Sequence, residues 1–237
     1  MNVLLFTLLA ILATAFGAID LGDAAPYAIL AGSTVTSAGA IGTDVTGDIG
    51  LAPGSAITGF PPGVHTGTKN VANGAAEAAK ASLTIAYNTA AGQAVTADYS
   101  SVDLKGMTLT GGVYKFADTA ALKGVLTLDG NWDSSSSWTF QVGSSLLFAL
   151  DSRVELINGA QADNVYFQVG SSATLENNAA VQGNILADQS ISLSTGATVN
   201  GRLLARIAAV TMNSNVVTLP AVANSGARMV KTHLRSE

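Results

Sequence analysis

Thr174-Leu-Glu-Asn-Asn-Ala-Ala-Val-Gln-Gly-Asn-Ile-Leu-Ala187 returns as Ser192-Leu-Ser-Thr-Gly-Ala-Thr-Val-Asn-Gly-Arg-Leu-Leu-Ala205, at a constant offset of 18 residues. Leu175/Leu193, Ala179/Ala197, Val181/Val199, Gly183/Gly201 and Leu186/Leu204 coincide. A short unit repeated at near-fixed spacing buries its apolar face only by stacking on its neighbours. Working outward, Leu156, Ala160, Ala162 and Phe167 match the first segment at an offset of 19. Trp138-Thr-Phe-Gln-Val-Gly-Ser-Ser145 matches Val165-Tyr-Phe-Gln-Val-Gly-Ser-Ser172 at an offset of 27. Near the N-terminus, Val45-Thr-Gly-Asp-Ile49 has the form of Val181-Gln-Gly-Asn-Ile185, and Ile29-Leu30-Ala31 echoes Ile185-Leu186-Ala187. The first 60 residues therefore read as coil too. A turn of roughly 20 residues accommodates three short strands, so the chain reads as mainly β: an irregular three-sided β-solenoid. Alternation predicts Val199, Gly201 and Leu203 on one side and Asn200, Arg202 and Leu204 on the other. The adjacent Leu203 and Leu204 predict a bend at the coil corner.

Composition agrees with thin stacked layers. The 237 residues suffice for one domain with a core; 48% are hydrophobic but only 6% aromatic, so the core is built of small aliphatics. The 25 glycines fit many tight turns. A net charge of −5, with no basic stripe, argues against nucleic acid and anionic lipid as partners. With no cysteine, neither a disulfide framework nor a thiolate metal site is expected.

Residues 1–18, an apolar run with small-x-small signals at Ala13-Thr14-Ala15 and Ala15-Phe16-Gly17, read as a cleaved signal peptide, or alternatively as a membrane anchor. The reading makes the mature chain secreted. Residues 19–220 form the solenoid domain and 221–237 a flexible tail. One long helix interrupts the coils at about 73–91. Ala75, Ala79, Leu83 and Tyr87 form its apolar stripe, with Ala78, Ser82 and Ala86 beside it, Asn73 as N-cap and Gly92 as stop. It is expected to pack alongside the solenoid.

Asp20-Leu-Gly-Asp-Ala-Ala-Pro-Tyr-Ala-Ile-Leu-Ala-Gly-Ser-Thr-Val-Thr36, Gly47-Asp-Ile-Gly-Leu-Ala-Pro-Gly-Ser-Ala-Ile-Thr-Gly59, Ala86-Tyr87-Asn88, Tyr166-Phe-Gln-Val-Gly-Ser-Ser-Ala-Thr-Leu175 and Gly201-Arg-Leu-Leu-Ala205 lie in order along residues 20–220. Together they resemble the DUF3494-type ice-binding proteins. The resemblance implies a right-handed solenoid with a helix alongside, an N-terminal coil discontinuous with the rest of the stack, and binding to ice without catalysis. Phe167 stands where that family usually has Trp. Residues 93–112 are too short for the capping insertion of some members.

Ice presents fixed lattice spacings, and a flat rigid face of small residues matches them best. Thr offers a methyl, a hydroxyl and a stiff χ1. The Ile/Leu-Leu-Ala register places Ser33, Thr34, Thr36, Ser190, Ser192, Ala208 and Thr211 on one strip. The Phe-Gln-Val-Gly coils add Ser144, Ser171 and Thr174. This strip is the expected ice face of a monomer. A rougher second strip holds Asp44, Thr46, Asp48, Ala180, Gln182, Thr198, Asn200 and Arg202.

Catalytic chemistry has no visible basis. His65 lies in a turn-like Pro61-Pro62-Gly63-Val64-His65-Thr66-Gly67 and His233 in the tail; neither reads as a base or metal ligand. Asp129, Asp133, Asp151, Glu155 and Asp163 read as exposed turn residues. No cofactor is implied. Trp132 and Trp138 could stack on sugars, although Trp138 sits in a core strand. The competing readings are a secreted solenoid adhesin or glycan-binding module, which needs an aromatic or acidic patch, and a polysaccharide-degrading enzyme, which needs clustered carboxylates.

Overall fold

A computed structural model of the chain describes residues 18–100 and 102–220. The expected signal peptide, apart from Ala18, and the tail lie outside the described residues. Each coil runs through three parallel sheets, here A, B and C. The first coil is β1 (Tyr27–Ala31), β2 (Thr34–Ala38) and β3 (Asp44–Thr46); the second is β4 (Asp48–Leu51), β5 (Ala56–Thr58) and β6 (Val64–His65). β7 (Lys69–Val71) opens a third, which α1 (Gly74–Gly92) interrupts. After a partial coil of β8 (Ala97–Asp98) and β9 (Thr108–Leu109) come five full ones. These are β10 (Gly112–Phe116), β11 (Ala120–Leu122), β12 (Val125–Asp129); β13 (Trp138–Val142), β14 (Leu146–Phe148), β15 (Arg153–Ile157); β16 (Val165–Val169), β17 (Ala173–Leu175), β18 (Ala180–Gln182); β19 (Asn184–Ala187), β20 (Ile191–Leu193), β21 (Thr198–Asn200); and β22 (Leu203–Ala205), β23 (Val210–Asn213), β24 (Val216–Thr218).

The stack departs from chain order. Sheet A runs β7-β4-β1-β22-β19-β16-β13-β10-β8, and sheets B and C follow the same sequence of coils. The last coil therefore meets the first: Ile29 pairs with Leu203, Thr36 with Thr211 and Val45 with Val217. The discontinuous N-terminal coil implied by the resemblance is this junction.

Two corner devices set the coil shape. At the C-to-A corner of the last two coils the backbones approach too closely for a side chain. A Cβ on Gly201 would lie 1.8 Å from the Gly183 carbonyl oxygen, and one on Gly183, at φ +132°, would lie 2.8 Å from the Val165 side chain. This explains the glycine of the Val-x-Gly-x-Ile/Leu repeat. At the B-to-C corner, Asp151, Asn178 and Ser214 take φ between +53° and +58°, with Gly196 at +76° between the last two. These short polar side chains tolerate the left-handed region.

Inside, Tyr99, Tyr114, Phe140 and Phe167 stack in a column with centroid separations of 5.5, 5.5 and 4.8 Å. Phe167 thus fills the core position expected for Trp. Toward the N-terminal coils the filling is Val, Ile, Leu and Ala.

Sheet A is buried on both faces. Leu203 points into the solenoid core, while Leu204 lies under α1 with Leu30, Leu186 and Tyr166. No corner bend separates the two leucines; both belong to β22, and the helix accounts for the second. The helix starts as expected, with the Asn73 side chain accepting from the Ala76 amide at 2.9 Å. Its buried stripe is Ala76, Ala79, Leu83, Ala86, Tyr87 and Ala90; Ala75 is exposed, and Gly92 is the last helical residue, followed by Gln93 as cap. The Gln141 side-chain amide donates to the carbonyls of Ala90 and Gln93 at 2.8 and 2.9 Å, satisfying the helix end.

Polar clamps fix the helix and N-terminal segment. Lys80 Nζ donates to the carbonyls of Ala205, at 2.6 Å, and Arg206. The Arg206 guanidinium sits over the Tyr87 ring and pairs with Asp188 at 2.6 Å. Arg202, expected on an exposed strip, is buried instead. Its Nε donates to the Ala25 carbonyl at 2.8 Å, and its guanidinium reaches Asn184 and Asp163 at 2.8 and 2.5 Å. It locks the N-terminal segment to the last coils.

Two outcomes follow for stability. Leu204→Ala should cost about 2–5 kcal/mol in urea unfolding, because it leaves a cavity between helix and sheet. Burial, then repulsion from Arg206, lowers the Lys80 pKa to about 8. The unfolded chain holds that proton to about pH 10.4, so it binds more protons in between and stability should rise from about pH 8 to 10. The neutral amine still has two N–H groups for the two carbonyls. Lys80→Met should flatten this rise.

Candidate functional site

Of the three faces, A is largely covered by the helix. Sheet C points Asp44, Asp129, Arg153 and Glu155 outward, together with the half-exposed Val216. Sheet B is different. Its inward positions, Val35, Val210, Ile191, Ala173, Leu146 and Ala120, belong to the core. Its outward positions form one ladder across all seven strands: Thr58, Thr36, Thr211, Ser192, Thr174, Leu147 and Ala121, each paired with the next. Thr58 Oγ1 lies 3.4 Å from Thr36 Oγ1. Two residues earlier runs a parallel column of Ala56, Thr34, Ala209, Ser190, Ser172, Ser145 and Thr119. Neither column contains a charge.

Strand stacking sets steps of about 4.8 Å along each column, and two residues of strand separate the columns by about 6.6 Å. Side chains stand nearly perpendicular to the sheet, so the face offers a two-dimensional grid of methyls and hydroxyls. The grid presents apolar carbons and hydroxyl oxygens side by side, with no charged residue among them.

The predicted residues divide into three groups. Thr36, Thr174, Ser192 and Thr211 lie on the ladder in adjacent, registered strands. Thr34 and Ser190 lie in the second column. Ser33, Ser144, Ser171 and Ala208 fall instead at the A-to-B corner, where Ser171 donates its amide to Ser144 and Ser33 donates to Ala208. That corner column also holds Asp118 and Gln189, so it is a rim. The strand neighbours Ser145, Ser172 and Ala209 occupy the grid. Ala56, Thr58, Thr119, Ala121 and Leu147 carry no repeat signal that places them on the grid, whereas the Gly-Ser-Ser pair marks Ser145 and Ser172.

The second predicted strip is partly real. Asp44 and Thr46, Thr198 and Asn200, and Ala180 and Gln182 share the outer face of sheet C, and Asn200 donates to Gln182 at 2.7 Å. Asp48 lies in sheet A and accepts from the Thr68 amide at 2.7 Å. Arg202 is buried.

The carboxylates are dispersed. Asp129 accepts from the Asn131 amide and the Asn158 side chain, Asp133 from Ser135, and Asp151 from Asn178; Glu155 pairs with Arg153 and Asp163 with Arg202. His65 belongs to β6 at the end of the stack, half-buried, with Nδ1 2.8 Å from the Gly67 carbonyl. His233 lies outside the described residues. Trp138 is buried and donates to the Leu109 carbonyl at 3.1 Å. Among the described residues, no group of three or more His, Asp or Glu could hold a metal, and no helix is long and apolar enough to cross a membrane.

A family model described as ice-binding-like matches residues 29–218. The chain belongs to this ice-binding-like family. The ice-binding protein of Nostoc sp. (strain HG1) is 43% identical over 198 residues, covering 83% of this chain and 72% of that protein. That of Flavobacterium frigoris (strain PS1) is 34% identical over 218 residues, covering 85% and 76%. Among solved structures, the ice-binding protein of the Antarctic ascomycete Antarctomyces psychrotrophicus superposes with a TM-score of 0.83 at 41% identity, covering 86% of this chain and 99% of that one. The DUF3494 domain of Shewanella frigidimarina ice-binding protein 1 gives 0.78 at 30% identity, covering 86% and 98%. These relatives of the ice-binding-like family share the solenoid described above.

Proposed function

We propose that this protein adsorbs to ice crystals through the outer face of sheet B and so inhibits ice growth and recrystallisation. The observation that carries the reading is the uncharged ladder from Thr58 to Ala121 on the uncovered face. A regular grid of small side chains organises a water layer that can merge with the crystal, and bound waters cost little beyond their immobilisation. Charged side chains would hold competing hydration shells. The core beneath, packed to interior density, keeps the grid rigid, so little order is lost on adsorption. An adsorbed molecule forces the ice front to bulge between anchors, and the curved front has a lower local freezing point.

The grid residues in this role are Thr34, Thr36, Thr174, Ser190, Ser192 and Thr211, with Thr58, Ser145, Ser172 and Ala209 added. Ser33, Ser144, Ser171 and Ala208 form its rim. The protein acts without catalysis, as a secreted monomer whose leader is removed. The similarity to proteins named for ice binding supports this function over an adhesin as the main role.

A bulky substitution at the grid centre tests it. Thr211→Tyr or Thr36→Tyr should remove well over half of the thermal hysteresis while leaving the melting temperature nearly unchanged. Thr198→Tyr, on sheet C, should leave it intact. Equal activity in all three variants would refute the assignment to sheet B.

A further inference from the structure

The indole of Trp132 is 83% exposed, whereas Trp138 is fully buried. Trp132 lies in the loop 130–137 that joins β12 to β13. Asn131 and Trp132 are both left-handed, at φ +49° and +62°. Asn carries that conformation readily; a bulky residue does so only under strain. The loop is nevertheless fixed. The Trp132 amide donates to the Asn158 carbonyl at 2.8 Å, and Asp129 accepts from the Asn131 amide and the Asn158 side chain at 2.8 and 2.9 Å. Ser136 Oγ donates to the Gly130 carbonyl at 3.1 Å, and the Asn164 side chain to the Ser134 carbonyl at 3.0 Å. A rigid loop thus presents an aromatic ring that packs on almost nothing.

The neighbours define what the ring suits. Asn131, Asp133, Ser134 and Ser135 are all exposed. A single apolar plane within a rim of amide, carboxylate and hydroxyl groups matches a ring that turns axial C–H groups to its faces and equatorial hydroxyls to its edge. We propose that Trp132 is a stacking platform for a gluco-configured pyranose ring of a polysaccharide, a second binding site separate from sheet B. A hydrophobic protein patch would leave the polar rim unpaired. Anionic lipid headgroups would meet Asp129 and Asp133.

The placement gives the site a use. The loop stands at the C-to-A vertex, and in a three-sided prism that vertex is opposite sheet B. On an ice-adsorbed molecule Trp132 points away from the crystal, so one copy bridges ice to a polysaccharide. This bridging rests on the proposed role of sheet B; saccharide binding does not.

Cellohexaose titration of the full chain, followed by tryptophan emission, tests it. The native protein should show a saturable blue shift arising from Trp132, with buried Trp138 as a constant background. Trp132→Asn, which suits the left-handed backbone, should fold with an unchanged or higher melting temperature and weaken binding about tenfold or more. Thr211→Tyr should bind cellohexaose like the native protein. No saturable shift, an unchanged affinity in Trp132→Asn, or a shift produced by phosphatidylserine vesicles and not by cellohexaose would each overturn the proposal.

Discussion

In-register parallel pairing between successive coils is the constraint on which the rest of the molecule depends. Each outward residue of sheet B has its place because the inward residues on either side are buried, and a one-residue slip would exchange the two sets. Leu193, Leu175 and Phe148 therefore hold Ser192, Thr174 and Leu147 outward. Register is enforced at the corners as well. The Gly201–Gly183 contact allows no side chain, so in the last two coils the chain crosses from sheet C to sheet A at one fixed residue. The junction of the first and last coils obeys the same rule, with Thr36 opposite Thr211. The ladder accordingly passes unbroken over a connection between residues far apart in the chain.

The helix divides the labour among the faces. By covering sheet A it removes an apolar surface that would otherwise drive association, and it packs on both sides of the coil junction, against β1 and β4 on one side and β19 and β16 on the other, with Lys80 tying it to the last coil. Arg202 does the same for the N-terminal segment, at the cost of a buried charge that its three partners offset. Sheet C, with its ion pair and outward aspartates, keeps an ordinary hydrated surface. Only sheet B remains both bare and neutral.

Much of this was legible in the sequence, and the exceptions have physical causes. The 18-residue repeat carried register directly, so Thr174 and Ser192 could be aligned from the buried leucines alone, while Thr211, 19 residues on, follows from the Leu-Leu-Ala register. Ser144 and Ser171 missed the grid by one residue, because two identical serines follow the glycine and only backbone pairing decides which begins the strand. Ala56 and Thr58 belong to a coil whose corners differ from the repeat, so no motif announced them. Leu204 looked like a corner residue because alternation assumes one buried face per strand. The helix supplies a second, and no local pattern in β22 reveals it. The irregular offset of 27 is accounted for by the longer C-to-A connection of residues 158–164 between β15 and β16, where Gly183 alone joins β18 to β19.

Face-selective adsorption is tested most directly by growing a single ice crystal in the purified native protein under a cold-stage microscope. Facets should appear and growth should stop within a finite interval of supercooling, as protein anchored through one flat face pins the front. A crystal that stays round and grows unimpeded at high protein concentration would contradict the account.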